Sequence, residues 1–325
     1  MVSHALARIL DLIRDPRVPH NILETFLRTR KLTRIMKAGP SRRELCVALT
    51  FDVEREYGSR RVNGNPVSVR QFLSKLEDFS SKTTVFIEGS LVEENSKVLR
   101  LLEAHGTEIG LHGYLHELWG PTQWYLSDKP ISAQEKAALL QKCKEIFEHS
   151  GLQLPVSFRA PNLVSDEQTV QLLVQYGFRI DSSLPSQLGV FPVPQLFGEG
   201  GGLVRIPVSA DPRPLLSWAF LIPHFTFRAC NLKTLTNMTN QEFVEFASSI
   251  ASIQDALGFR PHLVVLSHSW EFFDPLTGGG QYGYCSPGNF EILRNFLNAL
   301  SDNFDVKQMS MNGLAREITH SSDYG

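Results

Sequence analysis

From Leu45 onward, short apolar runs alternate with longer stretches of helical periodicity, and this alternation narrows the fold to an α/β domain with a parallel sheet. Leu45-Cys-Val-Ala-Leu-Thr-Phe51 is an unbroken run of the kind that is buried on both faces. A helix is expected over 69–79, a strand over 83–87, a helix over 96–104 and a strand over 108–112. Ser132-Ala-Gln-Glu135 has the capping-box form and opens a helix that runs to His149. A strand over 156–158, a helix over 166–176 and a strand over 178–180 follow. Beyond a Gly/Pro-rich stretch at 185–215 come a helix over 241–257, a strand over 262–267 and a helix over 289–301. About seven βα units of this kind predict a (β/α)7 barrel, incomplete or distorted.

The first 44 residues read differently. Val2, Ala5, Leu6, Ile9, Leu10 and Ile13 recur at helical spacing, and Ile22, Leu23, Phe26, Leu27, Leu32, Ile35 and Met36 form a second stripe. The division is therefore 1–44, a basic helical N-terminal extension, and 45–325, the barrel domain. The extension carries ten Arg/Lys against four Asp/Glu, a net of +6, so the remainder holds -8 of the whole-chain -2. Packing on the barrel, oligomer contact or peripheral contact with an anionic membrane all fit such a face. No global basic field points to nucleic acid, so none is expected as a partner. No apolar run approaches the roughly 20 residues of a membrane span. Arg8, Asp11, Arg14 and Asp15 interrupt any leader-like segment, and a cytoplasmic location is the expectation. Four cysteines without a CxxC pair demand neither a zinc knuckle nor an oxidising compartment.

In a parallel α/β barrel the reacting groups sit at the C-terminal ends of strands. Five polar clusters fall there: Asp52-Val53-Glu54, His112-Gly-Tyr-Leu-His116, Arg159-Ala-Pro161, Asp181-Ser-Ser and His268-Ser-Trp270-Glu271. His-x-x-x-His brings two imidazoles to one ion if the stretch is helical or tightly turned. Gly110 and Gly113 would let the backbone bend around it. An acidic oxygen from another strand end would complete three ligands and leave an open position for water. His105, His149 and His262 read as structural. Trp119 and Trp124 fit core packing as well as a sugar-stacking shelf, and Gly278–Gly280 reads as a mobile loop near the cleft.

In order, Thr50-Phe51-Asp52, His112–His116, Arg159-Ala160-Pro161, Asp181 and Leu266-Ser267-His268 resemble the five motifs of the polysaccharide deacetylase family. This is carbohydrate esterase family 4, which includes nodulation-factor and chitin deacetylases. The resemblance covers about residues 45–315. It implies a metal-dependent hydrolase that removes N-acetyl groups from a sugar or polysaccharide. The ion it implies is divalent, zinc first, with cobalt, manganese or nickel as alternatives. One position departs from the pattern: Val53 stands where the family has its second, metal-binding aspartate. The Asp-Val-Glu form resembles a subgroup linked to exopolysaccharide systems, which makes Glu54 the third ligand beside His112 and His116, with Asp52 as base. The swapped assignment, Asp52 on the metal without a separate base, stays open at this level. The resemblance further implies that Arg159 orients Asp52 and that His268, aligned by Asp181, is the acid. Trp270 and Tyr114 are the residues expected to touch carbohydrate. Two other readings compete: hydrolysis of another C–N bond, in a cyclic imide or ureido compound, and a barrel that lost its metal and only binds carbohydrate.

Overall fold

The computed structural model describes residues 34–55, 66–79, 82–122, 126, 128–186, 192–198, 202–211, 228–274 and 282–320. Both predicted N-terminal stripes (apart from a short helical turn at 34–38), Trp124 and the Gly278–Gly280 loop lie outside the described residues. Strand β1 (Glu44–Val53) is the centre of the sheet. Its C-terminal half pairs in parallel with β2 (Thr83–Ile87), and its other edge pairs in parallel with β8 (His262–His268). From β2 the sheet continues through β3 (Glu108–Leu111), β4 (Ser157–Phe158), β5 (Ile180–Asp181) and β7 (Leu203–Arg205), all in parallel. β6 (Gln195–Phe197) joins β7 antiparallel, and β9 (Asp305–Gln308) pairs with the first residues of β1.

The sheet curls towards closure through irregular links rather than a regular strand. On the edge of β8 that faces away from β1, the Leu266 N–H donates to the Cys230 carbonyl and the Ser209 N–H to the Val264 carbonyl. Val208 in turn bridges Pro185, which follows β5. The mixed α/β architecture is thus a distorted (β/α)7 barrel.

Period-two alternation in β1 builds two apolar layers. Leu45, Val47, Leu49, Phe51 and Val53 point outward and pack under the helices. These include α1 (Pro66–Phe79), α2 (Val92–Ala104), α3 (Ala133–His149), α4 (Glu167–Gln175), α5 (Leu232–Leu235), α6 (Asn240–Ala256) and α7 (Asn289–Ser301). The predicted capping box of α3 is present, with Ser132 and Glu135 satisfying each other's backbone N–H. A second one, Thr239 with Glu242, starts α6. Cys46 and Ala48 point inward, together with Phe86, Ile180, Val204, Val264 and Leu266. A final helix, α8 (Met311–His320), adds Met311, Leu314 and Ile318 to this inner layer. Each such burial stabilises by roughly 1.5–3 kcal/mol over exposure to water. The interior at the N-terminal ends of the strands is therefore filled with hydrocarbon, and polar inward positions (Thr50, Asp52, Glu54) begin only towards the C-terminal ends.

Candidate active site

Glu54 is the meeting point of the site. The same alternation that sends Val53 outward turns Asp52 and Glu54 inward. Glu54 Oε1 lies 3.2 Å from His112 Nε2 and 3.2 Å from His116 Nε2. Asp52 is further away, its Oδ2 3.9 Å from His112 Nε2. Glu54, His112 and His116 can present one donor atom each within 4.8 Å of one another, as can Asp52, Glu54 and His268.

The loop that carries the two histidines is a tight turn rather than a helix. Gly113 has φ 68°, and a Cβ there would meet Trp119 Nε1 at 2.9 Å. His116 itself is left-handed at φ 63°, which costs a non-glycine residue on the order of 1 kcal/mol or more. Glu117 holds the turn by accepting the N–H groups of Tyr114 and Leu115 at 3.0 and 2.8 Å. Gly110 acts differently from the expectation. Its φ is ordinary, and a Cβ would strike the Phe86 ring at 2.8 Å, so it makes room instead of bending the chain. The Phe86 ring in turn lies 4.3 Å beneath the Arg159 guanidinium.

The donor chemistry fits a divalent cation. His112 Nδ1 faces the Arg159 carbonyl at 2.9 Å, and a carbonyl can only accept, so Nδ1 carries the proton. A neutral His112 then presents a bare Nε2 lone pair to a carboxylate oxygen. Something positive must lie between them, a proton or a metal ion. Ligand bonds of 2.0–2.2 Å at tetrahedral angles put donors about 3.4 Å apart, close to the spacing seen here. The charge balance agrees. Burial alone would raise the Glu54 pKa, but the His116 and His268 charges and the hydrogen bonds of His112 and His116 hold it well below the usual range. Burial would likewise lower His116, yet Glu54 lifts it to about 9.

Arg159, fully buried, anchors the other carboxylate. Its Nη1 donates to Asp52 Oδ1 at 2.8 Å and to Thr50 Oγ1 at 2.7 Å. Nη2 and Nε donate to Ser182 Oγ at 2.9 Å and to the Ser182 carbonyl at 3.3 Å. This leaves Asp52 Oδ2 facing the histidines.

His268 stands at the end of β8 with Nε2 4.0 Å from Glu54 Oε1. Its acidic neighbour is not the expected Asp181. Asp181 receives Arg205 Nε at 2.7 Å and the Ser183 N–H at 3.0 Å, and the Ser183 hydroxyl also binds it. Arg205 comes from β7, whose side of the sheet draws Asp181 away from β8. Glu271 takes that place: Oε1 lies 3.4 Å from His268 Nδ1, and Oε2 accepts the His268 N–H at 2.8 Å. The Tyr284 hydroxyl donates to Glu271 Oε1 at 2.8 Å. Burial would lower the His268 pKa, but Glu271 and then Glu54 raise it to about 9.

The two residues expected to touch carbohydrate are engaged elsewhere. Trp270 is 9% exposed, with its ring stacked on His268 at 4.8 Å and its Nε1–H donating to Glu54 Oε2 at 3.1 Å. Tyr114 lies under the Lys142 ammonium at 3.8 Å and packs against the outer core. Trp119 is core, its ring edge-on to Phe158 at 5.0 Å. His262 and His149 are structural: their Nδ1 atoms face the Arg260 and Glu145 carbonyls.

Three residues have places in the site that the sequence does not assign. Glu271, read there only as part of the polar cluster after β8, had a signal, since it follows His268 by the three residues of a capping box. Glu88 follows the end of β2 just as the other polar clusters follow their strands; it is buried, and burial and then Glu54 push its pKa up to about 8. Arg205 had no signal, because β7 lies inside the Gly/Pro-rich stretch at 185–215, where no strand is expected.

Residues 39–180 match the family model described as polysaccharide deacetylase. A peptidoglycan deacetylase-like protein of Gibberella zeae is 35% identical over 105 residues, 32% of this chain and 28% of that protein. A peptidoglycan deacetylase of Helicobacter pylori is 25% identical over 126 residues, 39% of this chain and 40% of that protein. The matches thus span well under half of the curated relatives. The solved structure of a Mycobacterium smegmatis protein assigned to the polysaccharide deacetylases superposes with a TM-score of 0.54. That superposition covers 86% of this chain and 92% of the other at 24% identity, and shows a shared fold.

Proposed function

We propose, from the match of residues 39–180 to the polysaccharide deacetylase family model and from the geometry of the site, that this chain is a metal-dependent hydrolase that removes N-acetyl groups from a sugar polymer. The observation that carries the reading is the convergence of two imidazole Nε2 atoms on one Glu54 oxygen, at 3.2 Å each, with His112 held in the tautomer a ligand needs.

In this reading His112 Nε2, His116 Nε2 and Glu54 Oε1 would hold the ion, zinc first. Such an ion supplies the positive charge that polarises an acyl carbonyl and acidifies a water molecule. Asp52 is the base. With Oδ1 fixed by Arg159, it takes the proton of the attacking water on Oδ2. Water oxygen bonds to the acetyl carbon and the C–N bond breaks. His268 gives a proton from Nε2 to the leaving sugar nitrogen, with Glu271 Oε1 3.4 Å behind Nδ1 to favour the charged imidazole. The products are acetate and a free amine. Glu54 rather than Asp52 is assigned as ligand because its oxygen meets both imidazoles, whereas Asp52 is tied to Arg159 and nears only His112.

The test is acetate release from N-acetylated oligosaccharides by the purified chain with zinc. Release that stops with a chelator and in Asp52→Asn supports the reading. Sugar binding without acetate release, unchanged in His112→Ala, would instead favour the inactive carbohydrate-binding barrel.

A further inference from the structure

Ser269–Phe272 form a 3-10 turn directly after β8, and two consecutive residues of that turn grip Glu54. The Glu54 backbone N–H reaches Ser269 Oγ at 3.4 Å, and the Trp270 indole N–H donates to Glu54 Oε2 at 3.1 Å. A carboxylate has two equivalent oxygens and rotates between monodentate and bidentate arrangements unless something distinguishes them. Here the donor on Oε2 leaves Oε1 as the oxygen that meets His112 and His116. An indole suits this task, since it only donates and adds no charge that would neutralise the ligand.

The indole is itself fixed. It stacks on His268 with ring centroids 4.8 Å apart at 20°, and the Tyr282 ring meets it edge-on at 5.5 Å. Little of its surface remains for a sugar. Trp270 therefore touches both the acid imidazole and the ligand carboxylate, which come from strands β8 and β1.

We propose that Trp270 is the positioning residue of Glu54: its N–H selects the carboxylate oxygen offered to the metal and keeps the ligand monodentate. The proposal rests on the reading of Glu54 as a metal ligand. Outer-sphere partners of metal ligands typically alter affinity or activity by 10–100-fold when removed.

The experiment is zinc affinity of the full chain, measured by competition with a chromophoric chelator, for wild type, Trp270→Phe and Glu54→Gln. Phenylalanine keeps an aromatic ring for His268 and removes the donor, together with the volume of the second ring. The expected result for Trp270→Phe is a dissociation constant raised by about 10–100-fold, with an unchanged far-UV circular dichroism spectrum. If only Trp270→Phe binds zinc as wild type does, the proposal alone falls, and a raised KM for oligosaccharide would then make Trp270 a sugar shelf. If Glu54→Gln also binds zinc as wild type does, the ligand assignment falls and takes the proposal with it. Should Trp270→Phe fail to fold, hydrogen exchange of the Trp270 indole N–H in the wild-type chain reads the same bond by NMR. Slow exchange is expected, and exchange at the rate of a free indole would overturn the proposal.

Discussion

Replacing Arg159 by methionine tests the buried electrostatics that hold the base in place. The Arg159 guanidinium is fully buried, and Asp52, its charge partner, is 2% exposed. Methionine fills a similar volume but donates nothing, so the Asp52 carboxylate is left without its cation. Breaking a buried ion pair by removing one partner costs about 3–5 kcal/mol. The upper part of that range is expected, because Thr50 Oγ1 and Ser182 also lose a charged donor, each such bond being worth roughly 1.5–3 kcal/mol. Urea unfolding of the chelated protein, extrapolated linearly to water, measures the loss. The decisive comparison is Arg159→Met with Asp52→Asn. Asparagine removes the stranded charge, so the double variant should recover about 1–3 kcal/mol relative to Arg159→Met alone. A single-variant cost under about 1 kcal/mol, or a double variant less stable than Arg159→Met, would refute the argument.

Three further outcomes follow from the same geometry. Glu54→Gln should abolish zinc-dependent stabilisation: at zinc 100-fold above its dissociation constant, wild type gains about 2.7 kcal/mol in unfolding free energy. The variant should gain less than about 0.5 kcal/mol at the same concentration; an equal gain would remove Glu54 from the ligand set. Glu271→Gln should lower kcat for acetate release by about 10–100-fold with zinc affinity unchanged, and a change confined to KM would contradict its role behind His268. His262 is buried, with Nδ1 facing the Arg260 carbonyl, and burial pulls its pKa down to about 4. Between pH 6.5 and 4 the unfolded chain takes up a proton that the folded chain refuses. This contribution is therefore complete above pH 6.5 and is lost as pH falls, by roughly 3 kcal/mol. Urea unfolding of wild type and His262→Gln across that window checks it, and identical slopes would contradict it.

The strands legible in the sequence were those buried on both faces, since β1, β2 and β8 read as apolar runs whatever lies beside them. Those that escaped had their signal masked by composition. β7 lies inside the Gly/Pro-rich stretch at 185–215, and β9 reads Asp-Val-Lys-Gln with only partial burial. α8 follows closely behind β9, and its apolar face is explained only by the inner layer of the barrel that it covers. The residues gathered at the site were legible because they follow strand ends. Their partners were not, because a partner is set by which strand lies next to which. Asp181 meets Arg205 because β5 pairs with β7 rather than β8. Trp270 reaches Glu54 because β8 pairs with β1, a contact between residues 216 positions apart. The direction of Glu54 was a local matter: period two places it on the inner side with Asp52, while Val53 joins the outer core.

The central claim is that Glu54, His112 and His116 together hold the ion while Asp52 stays free to act as base. The most direct measurement is a crystal structure of the zinc-loaded chain, with the ion located by its anomalous signal. Zinc is expected within about 2.0–2.2 Å of His112 Nε2, His116 Nε2 and one Glu54 oxygen, with Asp52 still bonded to Arg159. Zinc bound through Asp52 instead of Glu54, or no zinc between the two histidines, would contradict it.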